Sequence, residues 1–236
     1  GFVTLAFGMR PEIAQLVGLI MGGLTPALVG LLGWTLTKRY AVALISGLLV
    51  CLLPYHIRSS IVTMSDVPAL FWLTGGVLCG VWYVQRPTWF RGLSTVVLFA
   101  LGAITRYVSA LAFLPVVAYA VAYGRKPPWR HLVTAGVAGL LIVLPEIQHM
   151  QLHIPSLFIA QEWHPFNAFL SEFVTPDGLL SYPLPVALMD LRTLAGWSFL
   201  NPVWAVCALI GLWMLRKDRA LLAFTGAWLL GLFGFL

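Results

Sequence analysis

Apolar residues run along this chain in long stretches broken by short basic turns. Clear runs cover about 13–37, 41–57, 67–85, 92–123, 132–148, 200–215 and 220–236. None alternates with a period of two, so they predict membrane helices rather than barrel strands. Pro54 interrupts the second run. Gly18, Gly22, Gly23, Gly30 and Gly33 in the first predict close helix contacts of the small-xxx-small kind. As one helix, the run at 92–123 would be about 48 Å long, against a hydrocarbon core of roughly 30 Å. It therefore predicts two short arms meeting near Thr105-Arg106-Tyr107, which brings the count to about eight spans. A hairpin of arms also puts Arg86 and Arg91 on the same face as Arg125, Lys126 and Arg130, as the positive-inside rule wants.

Weaker hydrophobicity marks residues 149–199, which contain four of the eight acidic residues and three of the five His. Phe166, Phe169, Leu170 and Phe173 fall at i, i+3, i+4, i+7, an amphipathic helical pattern closed by the turn signal Thr175-Pro176-Asp177-Gly178. Leu184, Leu188, Leu191 and Ala195 make a second such face. The expectation is a non-cytoplasmic loop at 149–199 whose amphipathic helices lie along the membrane surface. The fold class is all-α: a polytopic integral membrane helical bundle, forming a single transmembrane domain over 1–236.

Composition strengthens this reading. Hydrophobic residues make up 60% of the chain and charged residues 9%, where a soluble domain carries about 25% charged. Ten Trp and seven Tyr suit a protein with two interfaces to anchor. Cys51, Cys79 and Cys207 lie inside apolar runs and read as small core residues, not as a disulfide framework or a metal cluster. No signal peptide is visible. The start at Gly1 and the end inside an apolar run predict a part of a longer polytopic protein.

The net charge of +6 invites a nucleic-acid reading, but topology explains it. The turns at 38–39, 86–91, 124–131 and 216–219 hold ten of the fourteen Lys and Arg and one acid, Asp218. The remaining four Arg lie with seven acids. The positive-inside rule puts the basic turns in the cytoplasm and any chemistry outside. Nucleic acid is not an expected partner.

The stretch at 56–68, a loop between two spans, carries Arg58 and Asp66. A carboxylate at the edge of a hydrocarbon layer is a functional-site hypothesis by default. Asp66 could coordinate a cation or orient an acceptor; equally, Asp66 or Ser65 could cap the helix that follows. Arg58 and Arg106 offer guanidinium forks for a phosphate, or they snorkel to headgroups. His149, His153, His164 and Glu162 form a loose constellation in the outer loop. His149 and His153 at i, i+4 would share a helix face and permit a metal site; surface histidines fit as well, since no HExxH pattern accompanies them. Glu146, after Pro145, could face the cavity, as could Glu12. A divalent cation is a candidate cofactor, and the metal itself is not specified.

Ser65-Asp66-Val67-Pro68 opens a span, a basic turn follows, and Thr105-Arg106-Tyr107 leads into Ala110-Leu111-Ala112-Phe113-Leu114-Pro115 before another basic turn. Later come Leu200-Asn201-Pro202-Val203-Trp204, Gly211-Leu212 and a basic turn. This order and spacing resembles the GT-C glycosyltransferases that use polyprenyl-phosphate sugars, among them protein O-mannosyltransferases and the aminoarabinose transferases that modify lipid A. The resemblance implies a membrane enzyme, in a bacterial inner membrane, with its site and outer loop facing the periplasm or exterior. It implies a polyprenyl-phosphate sugar and membrane lipids as partners, and transfer to an acceptor with inversion. On the resemblance Asp66 is the second family carboxylate, and Arg106 stands where Lys is more usual. The principal base belongs to a first outer loop expected to precede residue 1, with only Glu12 near it.

Two other classes stay open. A noncatalytic GT-C-like structural subunit, packed against partner subunits in a larger membrane complex, would keep the fold without the chemistry. A transporter would use Asp66 and Arg106 as coupling charges, although no inverted repeat is visible. The transferase reading predicts that Asp66, Arg58 and Arg106 line one outward cavity.

Overall fold

A computed structural model describes residues 11–62, 65–106, 111–124, 127–153, 170–175, 178–185, 188–189 and 202–233. The chain divides into two compact units, 1–143 and 144–236. The described helices are α1 (Pro11–Thr37), α2 (Tyr40–Leu52), α3 (Pro54–Ile61), α4 (Asp66–Gln85), α5 (Trp89–Thr105), α6 (Phe113–Tyr123), α7 (Trp129–His153), α8 (Pro202–Leu215) and α9 (Arg219–Phe233). A short hairpin of β1 (Glu172–Thr175) and β2 (Gly178–Ser181) joins them. The fold is the expected all-α membrane bundle with that one addition.

The first unit is built around α4. Its sequence is apolar on all sides, which suits a helix surrounded by others. Accordingly 61% of its most apolar stretch is buried, against 22% of that of α1 and 11% of that of α7. Val77, Val81, Leu78 and Val67 form the centre of the core. The contacts along α4 fix the directions of its neighbours. Leu28 of α1 meets Gly75, and Thr35 accepts a hydrogen bond from Trp82 Nε1 at 3.1 Å, so α1 runs parallel to α4. Phe99 packs on Gly76 and Tyr83 on Gly92, so α5 runs back antiparallel. Val116 lies on Gly80, and Tyr119 Oη accepts a hydrogen bond from Gln85 Nε2 at 3.2 Å, so α6 returns parallel to α4.

Gly18, Gly22, Gly30 and Gly33 of α1 make the close contacts their spacing predicts, whereas a Cβ on Gly23 would meet nothing within 4 Å. A Cβ on Gly30 would sit 2.9 Å from the Ala43 carbonyl oxygen, and one on Gly33 2.8 Å from Ser46 Oγ. Gly47 answers from α2, 3.0 Å from the Pro26 carbonyl oxygen by the same measure. The backbones of α1 and α2 therefore touch with no side chain between them. The outer faces of α1, α2 and α7 expose Leu, Ile and Val, as a helix facing lipid does. Cys51 lies on such a face and is exposed, not a core residue; Cys79 is half-buried, and both are free thiols.

The chain breaks where the pattern says it should. The second apolar run splits at Leu53 into α2 and α3, bent by 58°. The long run 92–123 splits after Thr105 into α5 and α6, with Arg106 extended at the end of α5. Gly124 ends α6 in the left-handed region at φ 69°, the usual helix terminator. α1, α4 and α7 are long and apolar enough to cross a membrane, and the bent α2–α3 pair would make a fourth. α5 and α6 are shorter apolar helices.

Three expectations are corrected. The stretch 56–68 is not a loop throughout, because residues through Ile61 are helical in α3. α7 continues to His153, so the segment expected as outer loop begins inside a helix. In the second unit the pattern ending at Phe173 is not helical at its described end. Phe173 lies in β1, and the turn signal at 175–178 closes a hairpin with Glu172 opposite Ser181. Ser181 Oγ donates to Glu172 Oε1 at 3.0 Å, a cross-strand bond that a helix would not allow. Phe166 and Phe169, and the face from Leu191 to Ala195, lie outside the described residues. α8 and α9 close the chain, and Asp218 caps α9 by accepting from the Ala220 and Leu221 N–H groups at 3.1 Å.

Candidate functional site at the far end of the bundle

Hydrogen bonds sort the charges of the first unit to its two ends. Gln85 Nε2 donates to the Thr35 carbonyl, three residues before Lys38-Arg39, and to Tyr119 at the end of α6. Arg91 Nη1 donates to the carbonyls of Trp82 and Arg86, and Trp89 Nε1 to Thr134 Oγ1 of α7. The turns after α1, α4 and α6 thus share one end, as the hairpin of arms requires. Asp66 opens α4, and Arg106 closes α5, at the other.

There the two side chains meet. Arg106 Nη1 forms an ion pair with Asp66 Oδ1. Arg106 is 45% and Asp66 29% exposed, so the pair sits at a surface and is not sealed in the core. The reason lies in helix directions. α4 and α5 are antiparallel, so the start of one and the end of the other share one end of the bundle, within reach of a long Arg side chain. Ser65 takes the cap position of α4 without a side-chain bond, and Asp66 is the first helical residue. There its negative charge also complements the helix dipole.

A second layer holds this end in place. α3 lies on α1 where Gly22 leaves room: a Cβ there would be 2.2 Å from Ser60 Oγ, 2.7 Å from Ser60 Cβ and 3.3 Å from Val67 Cγ1. Ser60 is buried and its Oγ donates to the His56 carbonyl at 2.7 Å. His56 is buried too, with Nε2 2.9 Å from the Gly22 carbonyl oxygen. A carbonyl only accepts, so His56 carries its proton on Nε2. Sequence reasoning placed His56 and Ser60 in a loop and gave them no role. The available signal was two glycines at i, i+4 in α1 facing an otherwise unexplained His.

The other candidates are distributed as follows. Arg58 is exposed on α3 and forms no ion pair with a described residue, so the structure brings together two of the three expected cavity residues. Glu12 is exposed in the first turn of α1. Glu146 is exposed on α7, and His149 and His153 occupy the last turns of that helix. Glu162 and His164 lie outside the described residues. Among the described residues no three His, Cys, Asp or Glu side chains gather as a metal site. Two cavities of the first unit lie elsewhere, one at the basic end and one between α1 and α2.

A polytopic helical bundle, with basic turns at one end and an Asp–Arg pair between two helix ends at the other, defines a class of membrane protein. Residues 7–168 match the dolichyl-phosphate-mannose-protein mannosyltransferase family, and the chain belongs to that family, within the GT-C superfamily. Every candidate site residue lies inside the matched range. The segment around Leu200-Asn201-Pro202 does not. Neither comparison, with curated proteins or with solved structures, gives a significant match.

Proposed function

We propose that the protein is a membrane glycosyltransferase, taking a sugar from a polyprenyl-phosphate donor and passing it to an acceptor on the non-cytoplasmic face. Mannose is the sugar the family description names. The Asp66–Arg106 pair carries this reading. A half-exposed ion pair contributes about 1 kcal/mol or less in water, too little to explain two charges at the end of an apolar bundle. An ionisable pair at the end of membrane helices is a functional-site hypothesis by default. The positive-inside rule supports a cytoplasmic basic end and a non-cytoplasmic pair, and the resemblance implies a bacterial inner membrane with the pair at the periplasm or exterior.

In the reaction the acceptor oxygen attacks the anomeric carbon as the bond from that carbon to the phosphate oxygen breaks. The bonding electrons pass to the phosphate, which leaves as polyprenyl phosphate. The acceptor proton passes to a carboxylate base. Arg106 supports the leaving phosphate. One Nη is committed to Asp66, and the remaining N–H groups of the guanidinium can reach an anion arriving at the surface. Asp66 aims Arg106 and is a supporting carboxylate, since its charge is already engaged. Arg58, exposed on the neighbouring helix, provides a second cation for the approaching donor. The lipid tail stays in the bilayer while the headgroup reaches this edge.

Asp66→Asn tests the role. It keeps the shape, leaves Arg106 without its counter-charge, and should cut sugar transfer sharply in protein that remains folded in detergent. Undiminished transfer by a folded Asp66→Asn protein would remove the role assigned to the pair.

A further inference from the structure

The basic end of the first unit holds a cavity that the transfer reaction does not use. It measures about 660 Å³, within the roughly 300–1,000 Å³ of small-molecule sites. Side chains and backbone of α4, α5, α6 and the start of α7 line it, and Pro87, Gly124 and Pro127 of the basic turns form its rim. The lining is almost wholly apolar: Val84, Val96, Val116, Val117, Ala120 and Leu132 are typical.

Two polar atoms interrupt that lining. Tyr83 is 9% exposed, and its Oη is buried without a hydrogen-bond partner among the described residues. His131 Nδ1 is buried and, among the described residues, unpartnered in the same way. The two rings are 5.9 Å apart on the same wall. Buried polar atoms nearly always find a partner, so two orphans in one cavity ask for a ligand group. Their chemistry defines it. A phenol hydroxyl donates, and an imidazole nitrogen donates when protonated there, so an oxygen acceptor such as an ester carbonyl or phosphate suits both.

Charge is close at hand. Arg86 lies in the turn after α4, Arg91 in the first turn of α5 and Arg130 in the first turn of α7, and Arg91 is held by the carbonyls of Trp82 and Arg86. Arg125 and Lys126 follow Gly124 in sequence. An apolar cavity with two polar atoms on its wall, at the basic end of the bundle, matches a molecule with a hydrocarbon tail and an anionic head. Basic pockets between membrane helices hold such headgroups. We infer that this cavity binds one acyl chain of an anionic diacyl phospholipid from the leaflet facing the basic turns, with its ester region at Tyr83 and His131 and its phosphate toward those turns. The site lies about 25 Å from Asp66 along the axis of α4, at about 1.5 Å per residue. It is therefore separate from the donor end and does not depend on the transferase reading.

The test uses the whole chain in mixed micelles holding phosphatidylglycerol or phosphatidylcholine with the same acyl chains, with retained lipid read by native mass spectrometry. Wild-type protein should retain one phosphatidylglycerol in preference to phosphatidylcholine. Gly136 lines the cavity, and a Cβ there meets nothing within 4 Å, so Gly136→Phe fills the space without a backbone clash. It should abolish retention. Tyr83→Phe keeps the packing and removes only the hydroxyl. It should weaken phosphatidylglycerol binding by roughly three- to tenfold, as loss of one hydrogen bond does. Equal retention of the two lipids, unchanged retention in Tyr83→Phe, or full displacement of phosphatidylglycerol by an equal amount of polyprenyl phosphate would each overturn the proposal.

Discussion

Gly22 and Gly23 are adjacent in α1, yet the structure gives them opposite fates. A Cβ at Gly22 would fall 2.2 Å from Ser60 Oγ and 2.7 Å from Ser60 Cβ. Both atoms belong to a buried residue on a short helix, so α3 must move for Gly22→Ala to fit. Overpacking of this kind costs about 1–3 kcal/mol. At Gly23 a Cβ meets nothing within 4 Å. Gly23→Ala should therefore be neutral or stabilising by up to about 1 kcal/mol, since alanine is the better helix former. The assay is reversible unfolding in mixed detergent micelles, with helix content as the signal. A second variant isolates the contact. In Gly22→Ala/Ser60→Gly the clashing atoms are gone and Val67 Cγ1, at 3.3 Å, is the nearest remaining neighbour. The double variant should recover about 1–2 kcal/mol of the sum of the single effects, the coupling expected of touching residues. The same shift of α3 leads directly into Asp66, so Gly22→Ala should also lower transfer while Gly23→Ala leaves it unchanged. Equal destabilisation by the two alanines would refute the docking of α3 on α1.

Further expectations concern the turns. Gly124→Ala places a side chain at φ 69° in open space. The cost is purely conformational, about 1 kcal/mol, and Gly124→Asn should cost less because Asn tolerates that region; unfolding free energies separate the two. Asp218→Ala removes the cap of α9 and should destabilise by about 0.5–2 kcal/mol, with Asp218→Ser recovering most of it. Since α9 belongs to the second unit, amide exchange should quicken in the first turn of α9.

The sequence made some of this legible and hid the rest for identifiable reasons. The break at Arg106 was readable because a single charge stood in a run too long for the bilayer. Helix contacts through Gly30 and Gly33 were readable because small residues at those spacings have few other uses. α3 was not, because Arg58, Ser59 and Ser60 look like a polar turn until Gly22 supplies the cleft that buries Ser60 and the carbonyl that holds His56. The helical reading failed at Phe173 because a few apolar positions fit either period, and pairing with the strand Gly178–Ser181 decided between them. Asp66 and Arg106 could each be suspected, but their meeting depends on the antiparallel packing of α4 and α5. Arg58, exposed on α3, is not part of that ion pair.

The central claim is that Arg106, aimed by Asp66, supports the donor phosphate, and steady-state kinetics with the donor varied test it most directly. Arg106→Gln should lower kcat/KM for the polyprenyl-phosphate sugar by about 10²–10³-fold, the usual loss when a charge-stabilising donor is removed. Arg106→Lys should fall between it and wild type, because the charge remains and the fork is lost, and the KM for the acceptor should stay unchanged in both. A folded Arg106→Gln protein with wild-type kcat/KM for the donor would contradict the account.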